Sequence, residues 1–339
     1  MLAPVWFPVP PTGYGGIEWV VWLLADGLAE AGHDVTLFAA GQSRTRARLE
    51  YVYEEAPSDE IGQSLPEIRH ILHCYARQDE FDLINDHTGI VGAAVGGALR
   101  TPLVHTVHGP LDGLPGVIYE QLAVVAPKVG LISISMNQRR PKPDLNWIAN
   151  CPNSLDFELY PFAPHRGEYL FFLGRMSPDK GAHRAVLTAM ETGLPLKMAG
   201  KMREPLERQY FDEFVRPHLS SEIEYVGEVS HGEKVELLQH ARATLFPIEW
   251  EEPFGLVMIE SMACGTPVVA TRSGAVPEVI EHGRSGVIVD DWSQAGGALE
   301  AADAISPESC RAYAEELFAP GRMVRDYLAA YESMFGSRV

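Results

Sequence analysis

The chain has 339 residues, of which 46% are hydrophobic, and a formal net charge of −19 at pH 7. This length and composition predict a globular protein of about two domains. The negative charge argues against binding to nucleic acid or to anionic lipid, because proteins bind both through Lys and Arg.

The start of the chain and the cysteines bear on the compartment. The first residues, "MLAPVWFPVP", lack the basic beginning of a signal peptide, and no apolar run reaches the roughly 18 residues of a membrane span. Cys74, Cys151, Cys264 and Cys310 are far apart and form no C-x-x-C pair, which favours reduced thiols over disulfides or a zinc site. These features predict a cytoplasmic protein without stable membrane association.

Strand and helix patterns alternate along the chain. The first half contains the helix pattern "IEWVVWLLADGLAEAG" and the strand patterns "HDVTLFAA", "FDLINDH" and "PLVHTVHG". After a proline-rich joint, "CPNSLDFELYPFAP", the alternation restarts with "YLFFLG", "AHRAVLTAMETG", "LPLKMAG", "IEYVG", "KVELLQHARA", "TLFPI", "GLVMIESMACG" and "TPVVAT". Strands that are apolar on both faces are typical of parallel sheets covered by helices. Two such runs predict two doubly wound α/β domains with a boundary near residue 160.

In such folds ligands bind in loops after strands, and the first candidate loop is rich in glycine. Gly13, Gly15 and Gly16 precede the first long helix, where backbone can approach a phosphate at the helix N-terminus. A dinucleotide-binding fingerprint needs glycine at position 18, which is Glu18, and no Gly-Lys-Ser/Thr follows. A plain tight turn remains an equal alternative for this loop.

Histidines mark the next two strand ends. Asp86 and His87 follow one strand, and "HTVHG" places His105 and His108 at the end of the next. Residues three apart on a strand point to opposite faces, so joint metal binding by this pair is not expected. His108 is followed by glycine and proline at the carboxyl end of the strand, which makes it a candidate site residue. His70 and His73, in a helix pattern, are interpreted as structural.

The second half places cations at a strand end. In "FFLGRMSPDKG", Arg175 follows Gly174, and Lys180 comes five residues later. A planar guanidinium and an ammonium beside a glycine turn suit an oligophosphate. The alternative is that Arg175 and Lys180 are surface residues that form ion pairs with Asp179 and its neighbours.

Two glutamates flank the start of a buried helix in "EEPFGLVMIESMACGTPVV". Glu252 precedes the helix, which is predicted to open at Phe254, Gly255 and Leu256, and Glu260 lies about two turns inside it. An unpaired charge in an apolar helix is costly, so Glu260 must form an ion pair, be neutral or bind a ligand. Free N–H groups at the helix start would bind a phosphate, with a ribose at Glu260 and further hydroxyls at Glu252.

This arrangement resembles the signature of retaining glycosyltransferase family 4. Other segments resemble the family in order and together cover about residues 13 to 290: "GYGGIE", "DHTG", "HTVHG", "PNSLD", "GRMSPDKG", "KMAGK" and "RSGAVPEVIEHGRSGVIV". The opening also resembles, more weakly, members from antibiotic assembly. The chain departs from the family in having Asn153-Ser154 where Asn-Gly is usual, and a first strand that starts almost at the glycine loop.

The resemblance implies the GT-B fold, in which two doubly wound Rossmann-like parallel-sheet domains face a central cleft. It divides the chain into an acceptor-side domain at 1–160, a donor-binding domain at 161–320 and a terminal helix at 321–339 that crosses back to the first domain.

The resemblance also implies a metal-independent, retaining hexosyltransferase without a cofactor, which uses a nucleotide sugar with UDP as the expected nucleotide. Its implied catalytic residues are His108 at the sugar, Arg175 and Lys180 at the diphosphate, and Glu252 at the sugar hydroxyls. Its implied donor-binding residues are Gly15, Gly16, Val229, Phe254, Gly255, Leu256 and Glu260. The acidic chain, and the absence of Lys and Arg from "GPLDGLPGVIYEQLAVVAP", predict a small soluble acceptor.

Three other functions are weighed against this one. A nucleotide-sugar epimerase or hydrolase on the same scaffold would release products without an acceptor. A non-catalytic nucleotide-sugar binder is disfavoured because both charged pairs are intact. A dehydrogenase is disfavoured by Glu18 in the glycine loop.

Overall fold

The protein is described here from a computed structural model, which covers residues 1–13 and 15–336. The chain forms two compact units. The first unit comprises Met1–Ser154 and the chain from Pro320 onward, and the second comprises Leu155–Ala319. Of the predicted terminal segment, residues 337–339 lie outside the described part of the chain.

The first unit is built on parallel strands with helices between them. Its strands are β1 (Thr36–Phe38), β2 (Arg48–Glu50), β3 (Ile84–Asp86), β4 (Leu103–Thr106), β5 (Gly130–Ser133) and β6 (Trp147–Asn150), and the helices among them are α1 (Gly16–Glu30), α2 (Ser64–Tyr75), α3 (Ile90–Gly96) and α4 (Leu114–Val125). β3 to β6 pair in sequence order, and β1 pairs with β2.

Leu2 joins these two groups of strands. It forms parallel bridges to Phe38 of β1 and to Asp86 of β3, and its N–H donates to the Asn85 carbonyl at 2.8 Å. The chain therefore moves outward from Leu2 to β1 and β2, then reverses to β3 on the other side. That reversal is a topological switch point, where loops at the carboxyl ends of strands leave a crevice.

The second unit contains a six-stranded parallel sheet. Its elements are β7 (Tyr169–Leu173), α5 (Ala182–Thr192), β8 (Leu196–Ala199), α6 (Pro205–Phe214), β9 (Ile223–Gly227), α7 (His231–Gln239), β10 (Ala241–Phe246), α8 (Leu256–Ala263), β11 (Val268–Thr271), α9 (Val276–Val279), β12 (Gly286–Val289), α10 (Ala295–Asp303) and α11 (Pro307–Phe318). The strand order is β9-β8-β7-β10-β11-β12, so the switch point lies between β7 and β10.

Both units confirm the prediction of doubly wound parallel-sheet domains. The strands are buried as that prediction requires, and Leu170, Phe171 and Phe172 of β7 are almost fully enclosed. One predicted element was wrong at its end. The helix pattern "KVELLQHARA" ends at Gln239 as α7, and Ala241 already belongs to β10, because Ala241 and Ala243 pair with β7.

The last helix, α12 (Pro320–Met334), packs on the first unit against α1 and β6. Tyr327 is fully buried, and its hydroxyl lies 3.2 Å from the hydroxyl of Thr106 in β4. Arg322 donates to the carbonyl groups of Pro152 and Asn153 at 2.8 and 2.9 Å. Across the described residues, no helix is both long and apolar enough to cross a bilayer.

Candidate active site

The switch point of the second unit brings together the loops that follow β7 and β10. Arg175 and Lys180 lie in the first loop, and Glu252 lies in the second. The two loops are joined where the N–H of Glu249 donates to the carbonyl of Asp179 at 2.9 Å. The sheet order therefore brings Lys180 to Glu252 across 72 positions of sequence.

Glu252 is a buried carboxylate with two donors on one oxygen. Its Oε2 accepts from the Lys180 ammonium and from Trp250 Nε1, the latter at 3.0 Å. The Lys180 Nζ also lies 4.5 Å from the centre of the Trp250 ring. Glu252 is 8% exposed, so its charge is compensated by a neighbouring cation as burial requires.

A glycine after β11 fixes the backbone at Glu252. Gly274 has φ +54°, and a Cβ there would lie 2.3 Å from the Glu252 nitrogen. The N–H of Ala275 donates to the Glu252 carbonyl at 2.9 Å. Only a residue without a side chain allows these two loops to approach so closely.

The glycine before α8 sets where the helix begins. Gly255 is the N-cap with φ +84°, so α8 starts at Leu256, not at Phe254 as the sequence predicted. Phe254 is 3% exposed and its ring packs edge-on against Phe318 at 5.8 Å, so its side chain belongs to the core. The first N–H groups of α8 have no acceptor within the helix, which makes this end suitable for an anion.

Glu260 is buried and is the fifth residue of α8, just over one turn from its start and not about two turns as predicted, because the helix starts at Leu256. Its Oε1 accepts from the Tyr160 hydroxyl at 2.7 Å and from Lys234 Nζ at 2.6 Å. Lys234 also donates to the Tyr160 oxygen at 2.9 Å. Burial, and then the Glu260 charge, raise the pKa of Tyr160 well above its ordinary value, which keeps the phenol protonated as a donor.

Arg311 of α11 fixes the position of this cluster. Its Nη1 donates to the carbonyl of Tyr160 at 2.6 Å and to the carbonyl of Ala263, the last residue of α8, at 2.8 Å. One guanidinium therefore ties the segment that carries Tyr160 to the helix that carries Glu260.

The remaining predicted residues of the second unit occupy separate loops. Arg175 pairs with Asp179 at 3.1 Å and is partly exposed, so the alternative of a pair with Asp179 is present in the structure. Val229 lies in the loop after β9 and is half-buried. The structure thus joins Lys180 directly to Glu252, and it places Arg175 in the same loop as Lys180.

In the first unit, the glycine loop lies at the start of α1. Gly15 is the N-cap and Gly16 is the first helical residue. A Cβ on Gly15 would lie 2.8 Å from the Pro11 Cβ and 2.9 Å from Glu18 Oε2. Burial raises the pKa of Glu18 to about 7, so the carboxyl group beside this loop is largely uncharged below that pH.

His108 is one member of a chain of polar side chains in the first unit. Its Nε2 lies 3.0 Å from His87 Nδ1, and His87 Nε2 lies 2.9 Å from Asn85 Nδ2. An amide nitrogen only donates, so His87 carries its proton on Nδ1 and donates it to His108. Neutral His108 then carries its own proton on Nδ1, pointing away from His87.

Burial explains why both rings are neutral. It lowers the pKa of His108 to about 3, with a further contribution from His105. It also lowers the pKa of His87 well below its ordinary value, and His108 and His105 add to that effect. His108 is therefore a hydrogen-bond donor and acceptor at neutral pH, and not a cation.

His105 belongs to a different network from His108. Its Nδ1 lies 2.7 Å from Asp86 Oδ2, and its Nε2 lies 2.8 Å from the Tyr119 hydroxyl. Asp86 also accepts from the hydroxyl of Thr88 at 2.7 Å. His105 in β4 and His108, two residues beyond its end, thus belong to separate networks. Among residues 1–13 and 15–336, no three His, Cys, Asp or Glu side chains gather as a metal site.

Sequence reasoning missed the partners of the two glutamates. Trp250 lies in the loop after β10, two residues before Glu252, and Tyr160 and Lys234 lie outside the strand-end motifs, but no local pattern pointed to any of the three. A buried glutamate required some partner, but most of the Lys and Arg residues of the chain lie in the second half, and choosing Lys234 among them needs the packing of α7 on α8.

Two family models match this chain, one described as "Glycosyltransferase Family 4" over residues 14–149 and the other as "Glycosyl transferases group 1" over residues 161–315. Glycogen synthase of Mycobacterium tuberculosis is 26% identical over 332 residues, which are 82% of this chain and 79% of that protein.

Solved structures are similar over nearly the whole chain. AviGT4, a glycosyltransferase involved in avilamycin A biosynthesis, is 28% identical with a TM-score of 0.73, covering 98% of this chain and 94% of that one. Anabaena HepE, in complex with UDP and glucose, is 19% identical with a TM-score of 0.76, covering 98% of each chain.

Proposed function

This chain is a glycosyltransferase of family 4 with the GT-B fold, and we propose that it moves a hexose from a nucleoside-diphosphate sugar to a hydroxyl group of a small soluble acceptor, with retention of anomeric configuration. We take UDP as the nucleotide, which is the one that HepE holds.

The observation that carries the proposal is the chemistry gathered at one switch point of the second unit. Lys180 follows β7, Glu252 follows β10, and α8 begins four residues after Glu252. Glu252, the N-terminus of α8 and Glu260 follow one another along one loop and helix, and Lys180 joins them from the loop after β7. These groups match the parts of a sugar nucleotide: sugar hydroxyls, diphosphate and ribose hydroxyls.

Each part of the donor then has a proposed partner. Glu260 accepts from the ribose, Val229 contacts the base, and the N–H groups at Gly255 and Leu256 bind the diphosphate together with Arg175. The backbone N–H of Phe254 lies beside them, while its ring stays in the core.

The remaining proposed roles are those that membership of the family implies. Glu252 accepts from hydroxyl groups of the sugar, and neutral His108 donates its Nδ1–H to another. Family membership also implies that the backbone of Gly15 and Gly16 binds a phosphate.

In the proposed step, the bond from the anomeric carbon to the phosphate oxygen breaks and the acceptor oxygen bonds to that carbon on the same face. The acceptor proton passes to the departing phosphate oxygen. Negative charge develops on that phosphate, and Arg175, Lys180 and the α8 N–H groups oppose it. No side chain is assigned as a nucleophile.

Lys180 links leaving-group stabilisation to the sugar site. It already pairs with Glu252, so a bound diphosphate would give its ammonium an additional anionic partner. Because these fixed cations and N–H groups can oppose the charge of the diphosphate, we propose that the reaction needs neither a metal ion nor a cofactor. The four cysteines are free and buried, which supports a reducing, cytoplasmic location within this proposal.

A donor screen tests the proposal. Thermal melting should rise with UDP-sugars more than with GDP- or ADP-sugars, because a ligand that binds only the folded state stabilises it by mass action. Incubation of the stabilising donor with candidate acceptors, in EDTA, should give a product whose anomeric configuration by NMR equals that of the donor. Release of UDP and free or epimerised sugar, with no transfer to any acceptor, would favour the hydrolase or epimerase alternative instead.

A further inference from the structure

The two glutamates of the site are held in the same way. Each gives one carboxylate oxygen to a lysine and to an aromatic side chain that donates a hydrogen bond. Lys180 and Trp250 bind Glu252 Oε2, while Lys234 and Tyr160 bind Glu260 Oε1.

The pairing extends to the aromatic rings. Lys180 Nζ lies 4.5 Å from the Trp250 ring centre, and Lys234 Nζ lies 5.2 Å from the Tyr160 ring centre. An ammonium in contact with a ring and a carboxylate has fewer conformations than one in a simple surface pair. Both lysine side chains are largely buried, at 18% and 15% exposed.

The other oxygen of each carboxylate is left for a ligand. Within the described chain, neither Glu252 Oε1 nor Glu260 Oε2 has a hydrogen-bond partner, and neither is among the fully enclosed unpaired polar atoms. Each therefore keeps contact with solvent although its residue is at most 8% exposed.

A carboxylate oxygen has about two lone-pair positions. Two donors fill those positions on Glu252 Oε2 and on Glu260 Oε1. The free oxygen of each glutamate keeps two, which matches a pair of neighbouring hydroxyl groups such as a ribose or a pyranose presents.

We propose that Trp250 and the Tyr160–Lys234 pair are positioning residues that commit one oxygen of each glutamate to the protein and turn the other toward a vicinal diol of the donor. This inference rests on the proposed function, since it assigns the ribose diol to Glu260 and a sugar diol to Glu252. Trp250 then affects recognition of the sugar, whereas Tyr160 and Lys234 affect recognition of the ribose.

Binding of UDP and of 2′-deoxy-UDP, measured by calorimetry, tests the ribose side. We expect the wild type to prefer UDP, and Tyr160→Phe and Lys234→Met each to reduce that preference by about three- to tenfold, the net effect of one ordinary hydrogen bond. The matched controls are Tyr169→Phe and Lys197→Met, because Lys197 lies 4.5 Å from the Tyr169 ring centre in the same unit but forms no ion pair with any described carboxylate. Both controls should keep the wild-type preference.

Steady-state kinetics with the donor and its deoxysugar analogue test the sugar side. Trp250→Phe should reduce the discrimination between these donors and lower kcat, while leaving the preference for UDP over 2′-deoxy-UDP unchanged. Tyr160→Phe should raise the donor KM with little change in kcat, because the ribose contact is the same in the ground state and the transition state. Melting temperatures near the wild-type value show that the variants are folded.

The outcomes separate this inference from the proposed function. If Glu260→Gln abolishes the UDP preference but Tyr160→Phe and Lys234→Met keep it, the inference is wrong and the donor assignment stands. If Trp250→Phe and Tyr160→Phe lower both preferences alike, the separate assignment of the two diols is wrong. A wild type that binds no nucleotide, or a Glu260→Gln variant with the wild-type preference, would overturn the donor assignment and this inference together.

Discussion

At the scale of single residues, substitution of Arg175 tests how the departing diphosphate is stabilised. It is partly exposed and its ion pair with Asp179 leaves the guanidinium other donors for a phosphate. Arg175→Ala should lower kcat about ten- to a thousandfold, the range for a lost donor to a developing anion. The matched control is Arg242→Ala, because Arg242 forms a similarly half-exposed pair with Asp303 at the opposite end of β10. Initial rates equal to wild type in Arg175→Ala would remove this role.

The neutral histidines predict a pH dependence of stability. In the folded chain the pKa of His108 is lowered to about 3 and that of His87 is lowered well below its ordinary value. In the unfolded chain both titrate near 6.5. Below about pH 6.5 the unfolded state binds more protons, so the free energy of unfolding decreases by up to about 1.4 kcal/mol per pH unit for each ring.

Variants separate the contribution of the histidines to the pH dependence of stability from the contribution of Glu18. The pKa of Glu18 is raised to about 7 by burial, so Glu18 contributes stability that is full below about pH 4.5 and is lost as the pH rises toward 7, the opposite trend. Denaturant unfolding between about pH 7.5 and pH 5 should therefore show a shallower loss in His108→Asn than in wild type. His33→Asn, at an exposed position, should keep the wild-type slope; an unchanged slope in His108→Asn would contradict the prediction.

Residues near one another in sequence were predictable, whereas their distant partners were not. The positions of Glu252 and Glu260 follow from one local motif, because a loop and a helix start fix their spacing. Tyr160 is 100 positions from Glu260, and Lys234 is 26 positions away on another helix. No local pattern encodes such a pairing, since it depends on which helices the sheet order places side by side.

At the scale of elements, substitution of Gly255 tests whether the start of α8 binds UDP. Its φ of +84° is unfavourable for any residue with a Cβ, and the added atom would lie 2.6 Å from Met258 Cε. Gly255→Ala should lower the free energy of unfolding by about 1–2 kcal/mol and weaken UDP binding, because the N–H groups of α8 move. Gly232→Ala, in α7 with nothing within 4 Å of the new atom, should be neutral or stabilising. Wild-type melting and UDP affinity in Gly255→Ala would contradict this role.

The helix α12 gives a second prediction at this scale. Tyr327 is fully buried, and the Tyr331 hydroxyl accepts from Asn85, which also binds His87. Deletion of 321–339 should therefore lower the melting temperature and disturb the histidine chain of the first unit. Tyr331→Phe, which removes one hydrogen bond and keeps the ring, is the mild comparison. A truncated protein with unchanged melting and transfer would show that α12 is dispensable.

Strands were predicted correctly where apolar runs were long. They were missed where hydrogen bonding to a neighbouring strand determines the secondary structure. "YLFFLG" became β7 because a run apolar on both faces fits the centre of a covered sheet. The residues Ala241 to Ala243 continue a helical pattern, but hydrogen bonding beside β7 makes them strand. Leu2 joins β1 and β3 as a single bridging residue, which no periodicity in so few residues could indicate.

At the scale of the whole molecule, two surface properties bear on the acceptor. The net charge is −19, while α4 of the first unit exposes Leu114, Val117, Val124 and Val125. The basic cluster that follows α4 is largely engaged within the unit. Lys142 pairs with Glu120 at 2.6 Å, and Arg139 donates to Ser133 at 2.7 Å and lies over the Trp147 ring. Charge therefore opposes an anionic bilayer, whereas the exposed apolar residues of α4 would favour a lipid surface.

Co-sedimentation with vesicles distinguishes a soluble acceptor from a lipid one. We expect no binding to vesicles rich in phosphatidylglycerol at low salt, because an unscreened charge of −19 repels the surface and few cations remain to offset it. Zwitterionic vesicles are the control, because they carry no net charge and so remove this repulsion. If the protein binds them, Val124→Asp tests whether the exposed apolar residues of α4 are responsible. Binding that increases with anionic lipid, together with transfer that requires it, would contradict the soluble acceptor. That result would make Lys128, Arg139, Arg140 and Lys142 a docking surface for lipid, despite the contacts that several of them make within the unit.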